Sequence, residues 1–298
     1  EACYIPAALA LIVDDHRGTT RSFATGLHLS GISVGSSLGG LGGVLASSHG
    51  WWFPFQVFGI IGMVYSIFLA CIVRDTPKPK IIDRQKERAE EVGFADAFAH
   101  LFRNGRYWLL VACVSSLGLA GWAMNGWMPT YLMDEFYLGQ GQAGMTATGY
   151  LHVAGFFGCL FGGYITDLWT RRNPAGRMLV PIIGLCIAAP AIVLSTTSSV
   201  LVFALTGLVI YGLCRHLVDS NLMPILCIIA DHRYRATGYG FMNFCSCMVG
   251  GIGIYAGGVV RDNNIDVSVL FHVAGGGLLL AALLIWLIRP IEKPHSLP

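Results

Sequence analysis

The chain has 298 residues, of which 54% are hydrophobic and only 12% are charged. Because a soluble domain normally carries about 25% charged residues, this composition excludes an ordinary soluble protein and predicts a polytopic membrane protein. The formal net charge of +2 gives no reason to expect a nucleic-acid partner.

Apolar runs bounded by charges and turn residues predict nine helical segments. Most of them are long enough to cross a hydrocarbon core of about 30 Å. In chain order the predicted segments are 1–13, 22–47, 52–73, 106–131, 142–166, 178–197, 199–229, 236–259 and 268–288. The sequence therefore predicts an all-α fold that crosses the membrane many times.

The first segment is too short to cross. Residues 1–13 would extend about 20 Å as a helix, so we expect an N-terminally truncated piece of a longer protein. In the intact protein Glu1 would then lie near the middle of the bilayer.

The basic residues alternate between the predicted loops. Of the 19 Lys and Arg residues, 17 fall on one side of the membrane, Arg261 falls on the other, and Arg215 lies inside a span. The positive-inside rule makes the basic side cytoplasmic. We therefore expect a multi-pass protein of a bacterial inner membrane, with a cytoplasmic C-terminal tail over residues 290–298.

Residues 74–105 form the one long polar loop. Within it, Phe94, Phe98, Leu101 and Phe102 fall on one helical face, which is typical of an amphipathic helix in the cytoplasmic interface. A solvated linker is the alternative. In either case, three predicted segments precede the loop and six follow it.

A weak internal repeat relates the two parts of the chain. Tyr4–Gly26 and Asn221–Gly240 both contain Pro, an apolar stretch, an acid, His-Arg, another Arg and then Gly. Two copies with the same orientation indicate parallel halves, related by an axis along the membrane normal. Since six segments follow the loop, we expect six in the first half, of which only the last three are present.

The stretch from Gly163 to Arg177 resembles a known loop. Gly163 and Asp167, followed by Arg171, Arg172 and Arg177, are similar to the Gly-x-x-x-Asp-Arg/Lys loop of the major facilitator superfamily. The resemblance covers the whole chain, as spans 4 (partial) to 12 of a twelve-helix, two-bundle fold. It implies a remnant of the N-terminal bundle at 1–73, a cytoplasmic linker at 74–105 and a C-terminal six-helix bundle at 106–289.

In that family the Asp and Arg residues latch helix ends on the cytoplasmic side. The resemblance therefore implies a latch role for Asp167, although Leu168 stands where a basic residue is usual and the partner stays open. An acid at a helix end and a nearby Arg form a breakable ion pair. The residues that we expect at this cytoplasmic gate are Asp167, Arg171, Arg172, Arg17, Arg21, Arg233 and Arg235.

Two further patterns support the same resemblance. Gly31, Gly35, Gly39 and Gly40 resemble the span-five glycine motif of antiporters, but Ser36 replaces the usual Pro, so close helix packing is the favoured interpretation. The stretch from Glu1 to Ala7 and the turn from Asp15 to Ser22 are most similar to the organic-anion symporter branch, which takes up sugar acids and related carboxylates.

Two charged residues lie inside an apolar run. Arg215 and Asp219 are four positions apart, so they share a helix face and can pair. A charge at membrane depth costs roughly 2.5–3.5 kcal/mol on insertion scales, and such residues usually line a pathway or pair with one another. The alternative is a structural pair that joins helices. Glu1 is the first candidate for a coupling group, with a hydrogen-bonded core acid as its alternative.

Polar and aromatic side chains supply further candidates for contacts with a solute. Trp122 and Asn125 share a face of the segment 106–131, and His152 lies near mid-depth in the next one. Sugar sites often combine an aromatic plate with amide contacts. The alternative for each polar residue is a hydrogen bond between helices.

The sequence thus predicts a secondary active transporter for a small organic solute: a sugar acid, a carboxylate or a sugar. We expect alternating access with symport of H⁺ or Na⁺. A facilitator or antiporter of the same fold and a non-transporting sensor are the alternatives. The nine cysteines include no CxxC pair, and no clustered catalytic motif is present, so we expect no metal, no cofactor and no enzyme activity. The oligomeric state stays open.

Overall fold

The computed structural model of the protein describes residues 4–16, 20–72 and 94–288. Within these ranges the regular structure is helical and contains no strand, which confirms the predicted all-α class. The helices are α1 Tyr4–Asp15, α2 Arg21–Gly39, α3 Leu41–His49, α4 Phe53–Ile72, α5 Phe94–Phe102, α6 Gly105–Phe136, α7 Gln140–Thr170, α8 Gly176–Thr197, α9 Leu201–Ile229, α10 Arg235–Asp262 and α11 Ser268–Ile288.

Seven helical stretches in the described part of the chain are long and apolar enough to cross a membrane, which confirms a polytopic protein. One of them runs from Arg21 to His49 through α2 and α3, as the single predicted segment 22–47 does. The helix α8 ends at Thr197 and α9 begins at Leu201, so the predicted segments 178–197 and 199–229 are separate helices.

The six helices after the polar loop pack against one another in a fixed pattern. The helix α9 packs between α7 and α8, while α6 packs against α10 and α11, and α11 also contacts α8. The α7 and α9 backbones approach closely at two glycines. A Cβ at Gly158 would collide with the Leu213 carbonyl, and a Cβ at Gly212 would collide with the Leu151 carbonyl, so only glycine fits at these positions. Small residues at helix interfaces allow such approach in membranes.

The short helix α5 lies against the bundle. Ala97 and Leu101 are buried, and the Phe102 ring contacts Trp108 of α6 and Phe241 of α10. The apolar face of this part of the polar loop therefore packs on the bundle at Ala97 and Leu101, and its place in the membrane interface stays a prediction. The charged part of the loop, residues 73–93, lies outside the described residues, and the division into bundles and linker stays a prediction.

Candidate functional site

Two charged residues lie near the middle of α9. Arg215 lies at the midpoint of this 29-residue helix, and its Nη1 is 2.5 Å from Oδ2 of Asp219. Only 14% of the Arg215 side chain and 21% of the Asp219 side chain are exposed. The pairing predicted from their spacing is therefore present. Both charged side chains are mostly covered by other parts of the protein.

The Arg215 guanidinium keeps donors that Asp219 does not use. Its Nε is buried and has no hydrogen-bond partner among the residues that the structure describes. Its Nη2 faces Gly121 of α6, with an ideal Cβ position 3.8 Å away. Because a guanidinium carries five N–H donors in a planar fork, it can hold Asp219 and bind a second acceptor at the same time.

Weakly polar side chains surround the ion pair. Tyr211 lies one helical turn before Arg215 on α9, and the two groups interact electrostatically. Cys159 of α7 and Tyr239 of α10 interact with both Arg215 and Asp219. The pair is thus enclosed by three helices, which limits the solvent screening of its charges.

A histidine cluster adjoins the ion pair. His152 of α7 contacts Asn125 of α6, with 3.1 Å between Nε2 and Oδ1. The His152 and His216 rings have centroids 6.3 Å apart at an interplanar angle of 71°. His216 was not among the predicted site residues, because a single His in an apolar run carries no spacing pattern. Its position next to Arg215 was the only available signal.

Trp122 and Asn125 lie on the exposed side of α6. Trp122 is 44% exposed, and its ring rests against Gly250 of α10, where a Cβ would collide with it. Asn125 is also exposed and donates from Nδ2 to the Gly121 carbonyl at 3.0 Å. The structure therefore brings Asn125, His152, His216 and the ion pair into one polar region with Trp122 at its side. Glu1 lies outside the described residues.

Asp167 is 4% exposed and links α7 to the N-terminus of α2. Its carboxylate accepts hydrogen bonds from the backbone N–H groups of Ser22 at 3.3 Å and Phe23 at 2.8 Å. Arg177 of α8 approaches the same carboxylate at 3.4 Å. An acid at a helix N-terminus is stabilised by the unpaired N–H groups and the helix dipole. This arrangement identifies the partners that the sequence left open.

The other predicted gate residues have different surroundings. Arg171 and Arg172 are exposed, and in the described structure the ion pair of Asp167 is with Arg177. Arg21 donates from Nε to the His16 carbonyl at 3.3 Å. Arg17 lies outside the described residues. The gate roles of these arginines stay predictions.

The second copy of the repeated turn is held by Asp231. Its carboxylate accepts a hydrogen bond from the Arg233 backbone N–H at 3.1 Å, and Arg233 Nε lies 3.3 Å from the same oxygen. The backbone hydrogen bond holds the pKa of Asp231 below its usual value. The Arg233 guanidinium also lies 5.6 Å from the Tyr234 ring centroid. Arg235 begins α10.

The predicted glycine motif makes few contacts. An ideal Cβ at Gly40 would meet Thr148 of α7, but Gly31, Gly35 and Gly39 have no neighbour within 4 Å in the described part of the chain. The close contacts of α2 with α7 come from other positions, since a Cβ at Gly26 would collide with the Cys159 carbonyl. A packing role for the three open glycines stays a prediction without a described contact.

The arrangement can bind an anion and a proton, and it offers hydrogen-bonding groups to a polar solute. Arg215 supplies fixed positive charge, and each imidazole has a ring nitrogen that can bind or release a proton. Across residues 4–16, 20–72 and 94–288, no group of three or more His, Cys, Asp or Glu residues is arranged to hold a metal ion.

Comparison with known proteins agrees with this fold. The sequence profile described as Major Facilitator Superfamily matches residues 1–254. The "Probable L-galactonate transporter" of Escherichia coli (strain K12) is 24% identical, over 83% of this chain and 57% of its own length. The "Hexuronate transporter" of Bacillus subtilis (strain 168) is 24% identical, over 92% and 66%.

A third relative is named for export. The "MFS-type efflux pump" of Mycolicibacterium smegmatis (strain ATCC 700084 / mc(2)155) is 24% identical, over 89% of this chain and 61% of its own length. The chain thus spans about six tenths of the length of these relatives. All three are named as carriers of solutes, which confirms the prediction that the protein is not an enzyme.

Solved structures share the fold. A bacterial homologue of the human lysosomal transporter Spinster, inward-facing and unoccupied, superposes with a TM-score of 0.58 at 19% identity. The superposition covers 94% of this chain and 72% of that one. Because the family profile matches most of the sequence and the helices adopt the same fold, the chain belongs to the Major Facilitator Superfamily.

Proposed function

We propose that the protein is a secondary active transporter that moves a small organic solute by alternating access, in symport with H⁺ or Na⁺. The observation that carries this proposal is the Arg215–Asp219 pair, buried at the midpoint of α9 in a member of this superfamily. Charges at membrane depth are costly and mark solute or ion pathways in membrane proteins.

The chemistry of the site favours a sugar acid or a related carboxylate as the solute. Arg215 can offer its unused donors to a carboxylate in a bidentate contact. Asn125 and His152 can hydrogen-bond hydroxyl groups, and Trp122 offers a flat apolar surface to a sugar ring. The names of two relatives, which specify L-galactonate and hexuronate, support the same substrate class.

A neutral sugar is the alternative substrate, and it would fit if Asp219 neutralised Arg215 throughout the transport cycle. Transport in the opposite direction is a second candidate, because one relative is named an efflux pump. For both the neutral-sugar and the efflux candidate, we propose the same binding residues, and Glu1 is a further candidate for the coupling group. We place Asp167, Arg177 and the basic turns at the cytoplasmic side of a bacterial inner membrane, with the C-terminus also cytoplasmic.

Uptake into membrane vesicles tests the proposal. The assay would compare D-glucuronate, D-galacturonate, L-galactonate and D-glucose, with and without an imposed proton or sodium gradient. We expect gradient-stimulated uptake of at least one sugar acid. Uptake of D-glucose alone would instead support the neutral-sugar candidate, and export from preloaded vesicles would support the efflux candidate.

The variant Arg215→Ala tests the residue that carries the proposal. Loss of a charged hydrogen bond to a solute costs about 1.5–3 kcal/mol, so we expect uptake to fall roughly 10- to 100-fold at unchanged surface expression. Arg215→Lys keeps the charge but loses the fork, and should recover only part of the rate. Arg106→Ala, at an exposed position, is the matched control. Wild-type uptake by Arg215→Ala would refute the proposed role.

A further inference from the structure

Two histidines from neighbouring helices meet beside the ion pair. His152 lies on α7 and His216 on α9, 64 positions apart in the sequence, and their ring centroids are separated by 6.3 Å. The His216 ring lies against Gly155, where a Cβ would stand within 2.7–2.9 Å of three ring atoms. The absence of a side chain at Gly155 therefore makes room for the second imidazole.

The hydrogen bonds fix the neutral tautomer of His216. Its Nδ1 is 2.6 Å from the Gly212 carbonyl oxygen. A carbonyl oxygen can only accept, so Nδ1 must carry a hydrogen. In the neutral ring, the lone pair then remains on Nε2.

The tautomer of His152 follows from the orientation of Asn125. The Asn125 amide donates from Nδ2 to the Gly121 carbonyl, which leaves Oδ1 facing His152 Nε2 at 3.1 Å. Because Oδ1 can only accept, His152 must donate from Nε2. In the neutral ring, the lone pair remains on Nδ1.

Each ring thus keeps one basic nitrogen with no partner among the residues that the structure describes. One added proton turns the free nitrogen of one ring into a donor, and at a centroid separation of 6.3 Å a bridge from that donor to the other ring needs a water between them. A second proton would place two positive charges about 6 Å apart. At an effective dielectric constant of about 20 this repulsion weakens the second binding step roughly 100-fold.

The charges around the rings are balanced without this proton. His216 interacts electrostatically with Arg215 and Asp219 of its own helix, and these two charges cancel. The other titratable groups near the ion pair are the thiols of Cys113 on α6 and Cys159 on α7 and the phenols of Tyr211 on α9 and Tyr239 on α10. The ionisable groups His28 on α2 and Arg177 on α8 have other neighbours. His28 lies against the Tyr4 ring, and Arg177 pairs with Asp167.

We propose that His152 and His216 form a one-proton site, and that this proton and a substrate carboxylate bind together beside Arg215. The bound proton gives the polar region a net charge of +1, which attracts the anion. On entry an O–H bond of hydronium breaks and an N–H bond forms, and on exit the N–H bond breaks and water on the other side takes the proton. The carboxylate part of this inference rests on the proposed function.

Nitrogen NMR of the protein in nanodiscs, with ¹⁵N-labelled imidazoles, tests the one-proton site without any substrate. The variants His152→Asn and His216→Asn assign the signals, and His272→Asn, on the exposed side of α11, is the control. At high pH we expect His152 as the Nε2–H tautomer and His216 as the Nδ1–H tautomer. On acidification the two rings together should take up one proton before a second binds.

The variants give a second readout of the same site. Removing either histidine should shift the titration midpoint of the other, whereas His272→Asn should leave both unchanged. Gly155→Ala should displace the His216 ring and change both signals, and Gly144→Ala, where a Cβ meets nothing within 4 Å, should not. Independent titration of the two rings, or the opposite tautomers, would overturn the one-proton site.

Binding of D-glucuronate between pH 5 and 8 tests the coupling. Where the proton site is empty, linkage to one proton requires that the dissociation constant increase about tenfold per pH unit. We expect this slope in the wild type and in His272→Asn, and a nearly flat dependence in His152→Asn and His216→Asn. A slope that survives in both histidine variants would overturn the coupling. Failure of D-glucuronate to bind at any pH would count against the proposed substrate, whereas the NMR result would still decide the proton site.

Discussion

Arg215 carries more hydrogen-bond donors than the Asp219 carboxylate uses. These unused donors distinguish a solute-binding role from a purely structural one. The pair is mostly buried, so each charge depends on the other for stability. The Nε of Arg215 nevertheless stays without a partner in the described residues. A buried donor of this kind is costly unless a ligand or water satisfies it during function.

The two roles can be separated by comparing single and double variants. Asp219→Asn leaves the Arg215 charge buried without its counter-ion, so we expect a loss of stability of about 3 kcal/mol. The double variant Arg215→Met with Asp219→Leu removes both charges and should restore the thermal stability in detergent, but not the uptake. Recovery of uptake along with stability would show that the pair is structural only.

At the scale of the helix, the contact between α2 and α7 depends on how the two backbones approach. Gly26 and Gly163 allow each helix to touch the other's backbone, because a Cβ at Gly163 would collide with Ser22 and Phe23. Gly163 is also one turn before Asp167, so the same close approach brings the carboxylate to the N–H groups of α2. Packing and electrostatics therefore act at one end of this interface.

This contact predicts the behaviour of Asp167→Asn. The change removes the charge that interacts with the α2 N-terminus, and should shift the equilibrium toward separated cytoplasmic ends by about 1–2 kcal/mol, roughly a 5- to 30-fold change in population. Spin labels at Thr20 and Leu168, both exposed, would report the change as a longer distance. Arg106→Gln, a charge change at an exposed position outside the predicted gate, is the control, and an equal effect in this control would contradict the latch.

For the whole molecule, the distribution of charge predicts the orientation in the membrane. The turns at Arg171–Arg172 and at Asp231–Arg235 lie at the expected cytoplasmic ends of α7 and α9. On the side expected to face away from the cytoplasm, Arg261 of α10 pairs with Asp134 of α6 at 3.1 Å, so the charge of this basic residue is neutralised locally. The charge asymmetry across the membrane is thus larger than a count of basic residues alone indicates.

Cysteine labelling tests this orientation. In a background in which the nine native cysteines are replaced by Ala or Ser, Asn264→Cys should react with an impermeant maleimide in intact cells. Arg172→Cys should react only after the cells are permeabilised. Both positions are exposed, so access to the reagent decides the result. Labelling of Arg172→Cys in intact cells would reverse the topology.

Several properties of the protein were determined by the sequence alone because they depend on local patterns. Apolar runs long enough to cross the bilayer predicted the spans, and spacing of four positions predicted the Arg215–Asp219 pair. The resemblance of the loop from Gly163 to Arg177 predicted a latch role for Asp167, and that role stays a prediction. Each of these depends on residues within about one helix length of one another.

The tertiary structure decided what depends on the register between distant helices. It brought Asp167 to Arg177 and to the N-terminus of α2, where the sequence alone left the partner open. It placed His216 beside His152 through the close contact of α7 and α9. Such contacts are set by small side chains that let two backbones approach, and each helix by itself does not encode which neighbour it will meet or at what level.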